Sequence, residues 1–576
     1  MKLDPITFEL IKNNIDTIVD EMTLTMVRTA YSGNIRDGMD FSAAICDAKG
    51  QLVAQGVCVA LQLGSIPDAI DVILAKFAGD IHPGDVFILN DPFRGGMHLS
   101  DIFIFKPMFV GAELGAFLVI VADHVDVGGR APGSRAVDSV EVYQEGLRIP
   151  PLKLFSAGVS VPAIWDFIEI NVRIPRKVLG DLHSSIAACL AAERLLVATV
   201  EKFGLAEVKT FFSEVLDYSE RIARQVIQQI PDGHYTFVDH IDDSVTADDP
   251  VEIRVALDVA GDTLRFDMTG SSGQVRAAIN STMSFTKSAI YAAVRTLMPA
   301  DLPNNAGLFR PIEVTAPPGT ILNPREPAAV ASRGVTGFRL IDAAFGALAQ
   351  AIPDKVPAAG EGGASSFRLG GMDVDGKAFI IWDSVTGTWG ARPDRDGIDG
   401  CAHFAGNLAN VPIELLEAEF PVRILRYGLR QDSGGPGRFR GGMGLEREWE
   451  LLAPDAVVTM RADRAKFAPW AMQGGKQGAF SHNILNAHAE GRALPSKLTG
   501  PLRQGDRFLH QQASGGGYGN PLDRDVEKVL ADWRDERISL AHAAAEYGTV
   551  INADTKTVDA DKTAALRKTL RAARGG

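Results

Sequence analysis

Cysteine is scarce in this chain. Four residues, at positions 46, 58, 189 and 401, are scattered over 576, with no Cys-x-x-Cys pair. That spacing excludes a disulfide framework and a structural zinc ribbon, and it reads as reduced thiols in a cytoplasmic protein. Long apolar runs are also missing. The longest, near Leu114 to Ala122, falls well short of the roughly 20 residues a membrane span needs. The opening MKLDPITFELIKNN has neither an apolar core nor a small-residue cleavage site, so no signal peptide is expected. There is no long basic run, and the formal net charge is -14. Phosphate backbones need clustered Lys and Arg, so nucleic acid is excluded as a partner.

Nucleotide-binding signatures are absent too. No G-x-x-x-x-G-K-[ST] appears, and no G-x-G-x-x-G lies between a strand and a helix. The glycine clusters at 434–444 and 515–519 have no helical pattern after them and read as tight turns. No G-x-S-x-G elbow and no cysteine nucleophile signature is present. The chain carries no recognisable means of binding ATP by itself.

What is present is ordinary globular composition, 46% apolar and 23% charged, in a chain too long for one core. The expected class is α+β and multi-domain, with mixed sheets. A metal-binding α/β part spans 1–235, a glycine-rich, β-rich part spans 236–525, and a helical tail spans 526–576. Residues 4–31 predict a helix, with Asp4 as cap and Pro5 at the first helical position. Its stripe is Ile6, Leu10, Ile15, Val19, Met22 and Met26. Ala43–Cys46, Val86–Leu89 and Phe117–Val121 read as strands, the last two ending in polar, glycine-rich loops. Helical periodicity returns over about 172–230. Residues 251–270 predict a β-hairpin turning at AGD, and 446–461 predict a second one turning at APDA.

Three segments concentrate chemistry: RDGMDFSAAICD with Asp40, NDPFRGGMHLSDI with His98 and Asp101, and VADHVDVGG with His124. His98 and Asp101 are three apart, which on a helical turn or tight loop brings both toward one point. His124 follows an apolar strand, where an unpaired imidazole is costly. Imidazole with carboxylate suits zinc, manganese or iron. Taken singly, each has a bland reading: H-x-x-D is a common string, His124 a hydrogen-bonded structural histidine, and Asp40 a turn or cap. Clustering favours a metal site, because two of the eleven histidines fall beside acids in one short stretch.

The segments DFSAAICDAKGQLVAQG, NDPFRGGMHLSDIFIFKPMF, YQEGLRIPPLKL, GTWGARPDRDGIDG, PIELLEAEFPVRI, DSGGPGRFRGGMG and SGGGYGNP resemble hydantoinase B, in order and over nearly the whole chain. That family holds the B-type chains of ATP-dependent hydantoinases, 5-oxoprolinases and caprolactamases, with distant kinship to acetone and acetophenone carboxylases. The resemblance implies one divalent metal, zinc first and manganese or iron otherwise, on Asp40, His98, Asp101 and His124. The same four would be catalytic. It implies an ATP- and Mg-binding A-type partner, an A2B2 heterotetramer, and a small cyclic amide opened after the partner phosphorylates its oxygen. The alternative is a component of an acetone-type carboxylase, and a third reading is a scaffold whose metal only stabilises the fold. Asp126 and Glu145 are candidate partners of the ligands or bases. Arg148 is a candidate for holding phosphate or carboxylate, or else a surface ion pair. One departure bears on the substrate pocket: Arg36-Asp37-Gly38-Met39 stands where many relatives have Glu-Arg before the aspartate.

Overall fold

The computed structural model describes residues 3–56, 59–62, 64–362, 365–385 and 387–574. Cys58 lies outside them. Asp4 caps the first helix, Pro5–Thr29, by accepting from the backbone N–H groups of Ile6 and Thr7. Ile15, Val19, Met22 and Met26 of the expected stripe are buried, but Ile6 and Leu10 are exposed and Phe8, Ile11 and Ile18 take their place. The face that packs is set by the neighbouring helix Pro175–Phe203, against which Pro5–Thr29 lies.

These helices cover one face of a seven-stranded sheet. Its strands are β1 (Phe41–Asp47), β2 (Leu52–Gln55), β3 (Val86–Leu89), β4 (Asp101–Val110), β5 (Glu113–Asp123), β6 (Leu152–Ser156) and β7 (Val159–Ser160), in the order β2-β1-β5-β4-β3-β6-β7. Both faces are buried, and side chains alternate between two cores as the pleat requires. Ile102, Ile104, Leu118 and Ile120 enter the core under the helices, while Phe103, Phe105, Phe117 and Val119 enter the other.

That second core is shared with a four-stranded sheet, β8 (Gly233–Ile241), β9 (Val251–Ala260), β10 (Thr263–Asp267) and β11 (Ile312–Thr315), and with the helices Met283–Arg295 and Gly334–Ala351. The β9–β10 hairpin turns where AGD predicts it. A third sheet joins β12 (Ser366–Met372), β13 (Ala378–Asp383), β16 (Asp455–Arg461) and β19 (Lys497–Arg503). A fourth joins β14 (Val422–Leu429), β15 (Leu445–Leu451), β17 (His482–Leu485), β18 (Arg492–Leu494) and β20 (Arg507–Gln511). The hairpin expected at 446–461 does not form. β15 pairs with β14 and β20, while β16 pairs with β12 and β19. The APDA segment is a corner between two sheets, and alternation alone cannot distinguish a hairpin from two strands that part company.

The two glycine clusters fold onto each other. Gly435 N–H donates to Gly515 O, and Gly515 N–H to Gly442 O, both at 2.9 Å. A Cβ on Gly441 would sit 1.9 Å from Gly515 O. These glycines allow main chain to stack on main chain. The tail forms the helices Val526–Arg534, Leu540–Tyr547 and Ala560–Arg574 around a small core of Val529, Ile538, Ala543 and Tyr547.

Candidate metal centre

Strand direction explains why distant acids meet. β1 runs antiparallel to β5, and β5 to β4, with Phe41 opposite Ala122 and Ala122 opposite Ile102. The start of β1, the end of β5 and the start of β4 therefore share one end of the sheet. Asp40 lies one residue beyond Phe41, and Asp101 and Asp123 are directly opposite each other. Asp123 N–H donates to Asp40 O at 3.0 Å, and Met39, at φ 57, turns the chain into β1. A tight turn rather than a helix carries His98, with Asp101 N–H donating to His98 O at 3.2 Å.

His98, Asp101 and Asp123 each offer a ligand atom within 4.8 Å of the other two, and all are buried. Nε2 of His98 is 3.0 Å from Asp101 Oδ2. The Asp40 carboxyl hydrogen-bonds with that of Asp123. His124, expected as a ligand, stands outside the grouping of three, and the residue before it, Asp123, stands inside. Consecutive residues of extended chain point to opposite sides. Asp123 projects on the side of Val121, while the strongest charged neighbour of His124 is Asp181, on the helix Pro175–Phe203. Both ring nitrogens of His124, and Nδ1 of His98, are buried without a hydrogen-bond partner among the described residues.

Arginines from far along the chain complete the centre. Arg135 and Arg333 contact Asp123 and Asp101 respectively. Arg368 Nη2 lies 3.3 Å from both oxygens of Asp123. Burial by itself raises an acid, yet Arg135 and Arg368 hold Asp123 well below the usual carboxylate range. Burial wins at Asp101, which is raised despite Arg333 and Arg135. At Asp40, burial and then the charges of Asp123 and Asp101 push the carboxyl well up. Burial lowers both histidines, with Arg333 and Arg135 adding to the effect at His98, so both imidazoles are neutral and can offer a lone pair. Imidazole nitrogens without partners beside converging carboxylates are a donor set that fits a divalent ion.

Asp126 is buried, and its oxygens are engaged by the N–H groups of Gly128, Gly133 and Arg173 and by the Arg173 guanidinium, so it braces the loop that carries Arg135. Glu145 Oε1 accepts from Val330 and Ala331 N–H at 2.8 Å each, while Oε2 is buried without a partner among the described residues. Burial pushes Glu145 up to about 8. Arg148 pairs with Asp91 at 2.9 Å and Glu326 at 2.8 Å. Sequence reasoning misses Asp123, Arg135, Arg333 and Arg368. Strand parity with Asp101 is the one local signal, and it points to Asp123 alone.

Comparison with known proteins identifies the family. The hydantoinase B/oxoprolinase family model matches residues 4–521. A putative D-/L-hydantoinase chain of the B type from Pseudomonas sp. (strain NS671) is 36% identical, with 98% of each chain covered. The crystal structure of the ATP-dependent caprolactamase from Pseudomonas jessenii superposes with a TM-score of 0.91 at 30% identity, covering 99% of this chain and 100% of that one. A nucleotide-free acetone carboxylase structure superposes at 0.92 over 100% of this chain and 84% of its own, but at 20% identity it speaks only for the fold. The order and spacing of the motifs, the sheet architecture and the full-length match agree: this chain belongs to the hydantoinase B/oxoprolinase family.

Proposed function

We propose that this chain is the ring-opening component of an ATP-dependent cyclic amide hydrolase. The observation that carries the reading is the convergence of His98, Asp101 and Asp123, beside Asp40 and the unpartnered His124, in a chain similar over its full length to a putative B-type hydantoinase chain. Asp40, His98, Asp101 and His124 would hold one divalent ion, zinc, manganese or iron, with Asp123 kept beside them by Arg135 and Arg368. When bound, such an ion polarises the amide oxygen and acidifies a water toward about pH 7.

The chain's own residues set the conditions for that chemistry. His98 and His124 stay neutral because burial disfavours the imidazolium. Arg135 and Arg368 keep Asp123 ionised, and Arg333 fixes the carboxylate of Asp101. His98, Asp101 and His124 are each 1% exposed, so the site excludes bulk water that would destroy an activated amide. In this reading the nucleotide comes from an A-type partner in an A2B2 assembly, as the family resemblance implies, while the two glycine clusters of this chain pack against each other's main chain. The test offers a panel of cyclic amides to the metal-loaded chain, with and without its partner and ATP. Turnover is expected only with both. ATP-independent turnover by the chain alone would make it an ordinary metallohydrolase.

A further inference from the structure

A neutral imidazole carries one N–H donor and one lone pair. Both ring nitrogens of His124 are buried, and neither has a partner among the described residues. An ion at the sheet-end centre takes a lone pair, which accounts for one nitrogen. The other is an N–H in a residue only 1% exposed, and a buried donor without an acceptor is expensive.

Asp181, on the helix Pro175–Phe203, has the complementary deficiency, and it is fully buried. Its Oδ1 accepts from the N–H groups of Tyr31 at 2.7 Å and Ser32 at 3.1 Å. Its Oδ2 is buried with no partner among the described residues. The turn that Asp181 holds is itself bonded to the metal centre. Asn34, two residues beyond Ser32, donates from its side chain to the carbonyl of Asp123, the residue before His124. The carbonyl of Asn34 accepts from Asp40 N–H at 3.0 Å. Asp181 is thus linked to the strand end, and its charge bears on His124 more than that of Asp123 or Asp101. The helix comes this close because residue 180 is glycine: a Cβ there would lie 2.4 Å from the Tyr31 ring. Asn34 Oδ1 is a second buried acceptor without a partner among the described residues, but it is an amide oxygen, and a carboxylate accepts more strongly.

We propose that Asp181 is a positioning residue for the metal centre: its Oδ2 accepts the second ring N–H of His124, which fixes the tautomer and turns the lone pair toward the carboxylates of the sheet end. The inference rests on the metal reading above and adds a residue to it. In the structure the two groups are neighbours without being bonded, and capture of an ion by the opposite nitrogen closes the pair. Where a metal-binding histidine gives its other N–H to a carboxylate, losing that carboxylate costs about 10- to 100-fold in metal affinity.

Asp181→Asn separates the roles of the two oxygens. The amide oxygen can still accept from Tyr31 and Ser32, and the amide NH2 cannot accept from the imidazole. The full-length chain is stripped with a chelator and titrated with zinc against a competing chelator of known affinity. Stripped Asp181→Asn should unfold near the wild-type temperature, yet bind zinc about 10- to 100-fold more weakly. In a His124→Ala chain the same substitution should cost no further affinity, because its effect runs through that imidazole. A structural role through the Tyr31–Ser32 turn would cost as much there as in the wild type. In wild type labelled with 15N in its histidine rings, zinc should bring out a ring N–H resonance, protected from exchange, that His124→Ala lacks. Its absence from the wild type overturns the pairing even if Asp181→Asn fails to fold. Wild-type zinc affinity in Asp181→Asn, as expected were Asn34 the acceptor, overturns it too, as does an equal loss in the His124→Ala chain. Each of these leaves the metal reading standing, whereas a wild-type chain that binds no zinc, manganese or iron overturns both.

Discussion

Two buried charge clusters in this molecule look alike and differ in how their polar atoms are partnered. One is the sheet-end centre of Asp40, Asp101 and Asp123 with His98 and His124. The other lies between the second and third sheets, where Asp239, Asp342 and Asp463 meet Arg339, Arg464 and Lys497. In the second cluster Arg464 holds Asp342 at 2.6 Å, Arg339 holds Asp463 at 2.6 Å, and Lys497 holds Asp463 at 3.1 Å. None of these three aspartates has a buried oxygen without a partner. In the first cluster the unpaired acceptors are imidazole nitrogens. Buried acids alone are therefore a weaker sign of a metal site than buried acids beside an unpartnered imidazole. The discriminating feature is a neutral histidine with a lone pair to give.

The largest expected effect separates the clusters by metal content. His98→Ala with His124→Ala should lose its metal and more than about 100-fold in partner-dependent activity, as removing ligands does in metal enzymes. Asp342→Asn should keep full metal content by elemental analysis. Wild-type metal in the double variant would remove the distinction. Within the first cluster, Asp123→Asn and His124→Ala compared singly will show which neighbour of the strand end binds more strongly.

Stability should divide the clusters the other way. Arg464→Ala leaves Asp342 and Asp239 in the interior with only the longer contacts to Arg339, at 3.5 and 3.6 Å, and should cost about 3 kcal/mol by denaturant titration, with metal content unchanged. A chelator should leave the second cluster untouched but lower stability through the first. At a free metal concentration of about 100 times Kd, the bound ion contributes about 2.7 kcal/mol. Asp101→Ala should reproduce the drop and make the chelator ineffective.

Glu145 is an intermediate case and gives the smallest effect. One oxygen is satisfied by two N–H groups and the other has no partner among the described residues. Burial raises its pKa from 4.5 to about 8 in the folded chain. Between those values the folded state binds more protons than the unfolded state, so this group makes stability fall as pH rises. Glu145→Gln should flatten that slope, unfolding at a higher temperature than wild type near pH 8 and with little difference near pH 4. An unchanged slope would mean that Glu145 titrates normally.

Local chemistry makes much of this legible in advance. Asp4 and Pro5 fix a helix start through groups within one turn. Apolar runs place β3 and the core of β5, and the AGD turn places the β9–β10 hairpin. His98 and Asp101 are visible because a single turn joins them. The ordered motifs point to the family that the full-length comparison shows. These are short-range relations, and the sequence carries short-range relations directly.

Tertiary structure alone decided the rest. Whether β15 turns back on itself or hands the chain to another sheet depends on which edges β20 and β12 offer, and those strands lie far away in sequence. The glycine clusters acquire meaning only when Gly441 meets the carbonyl of Gly515. Asp123, rather than its neighbour, faces Asp101 because the β4–β5 register sets the two opposite each other. Arg333 and Arg368 reach the same carboxylates from segments more than 200 residues away. An isolated arginine has no local pattern that reveals its partner, because a buried ion pair is fixed by the packing that excludes water from both charges.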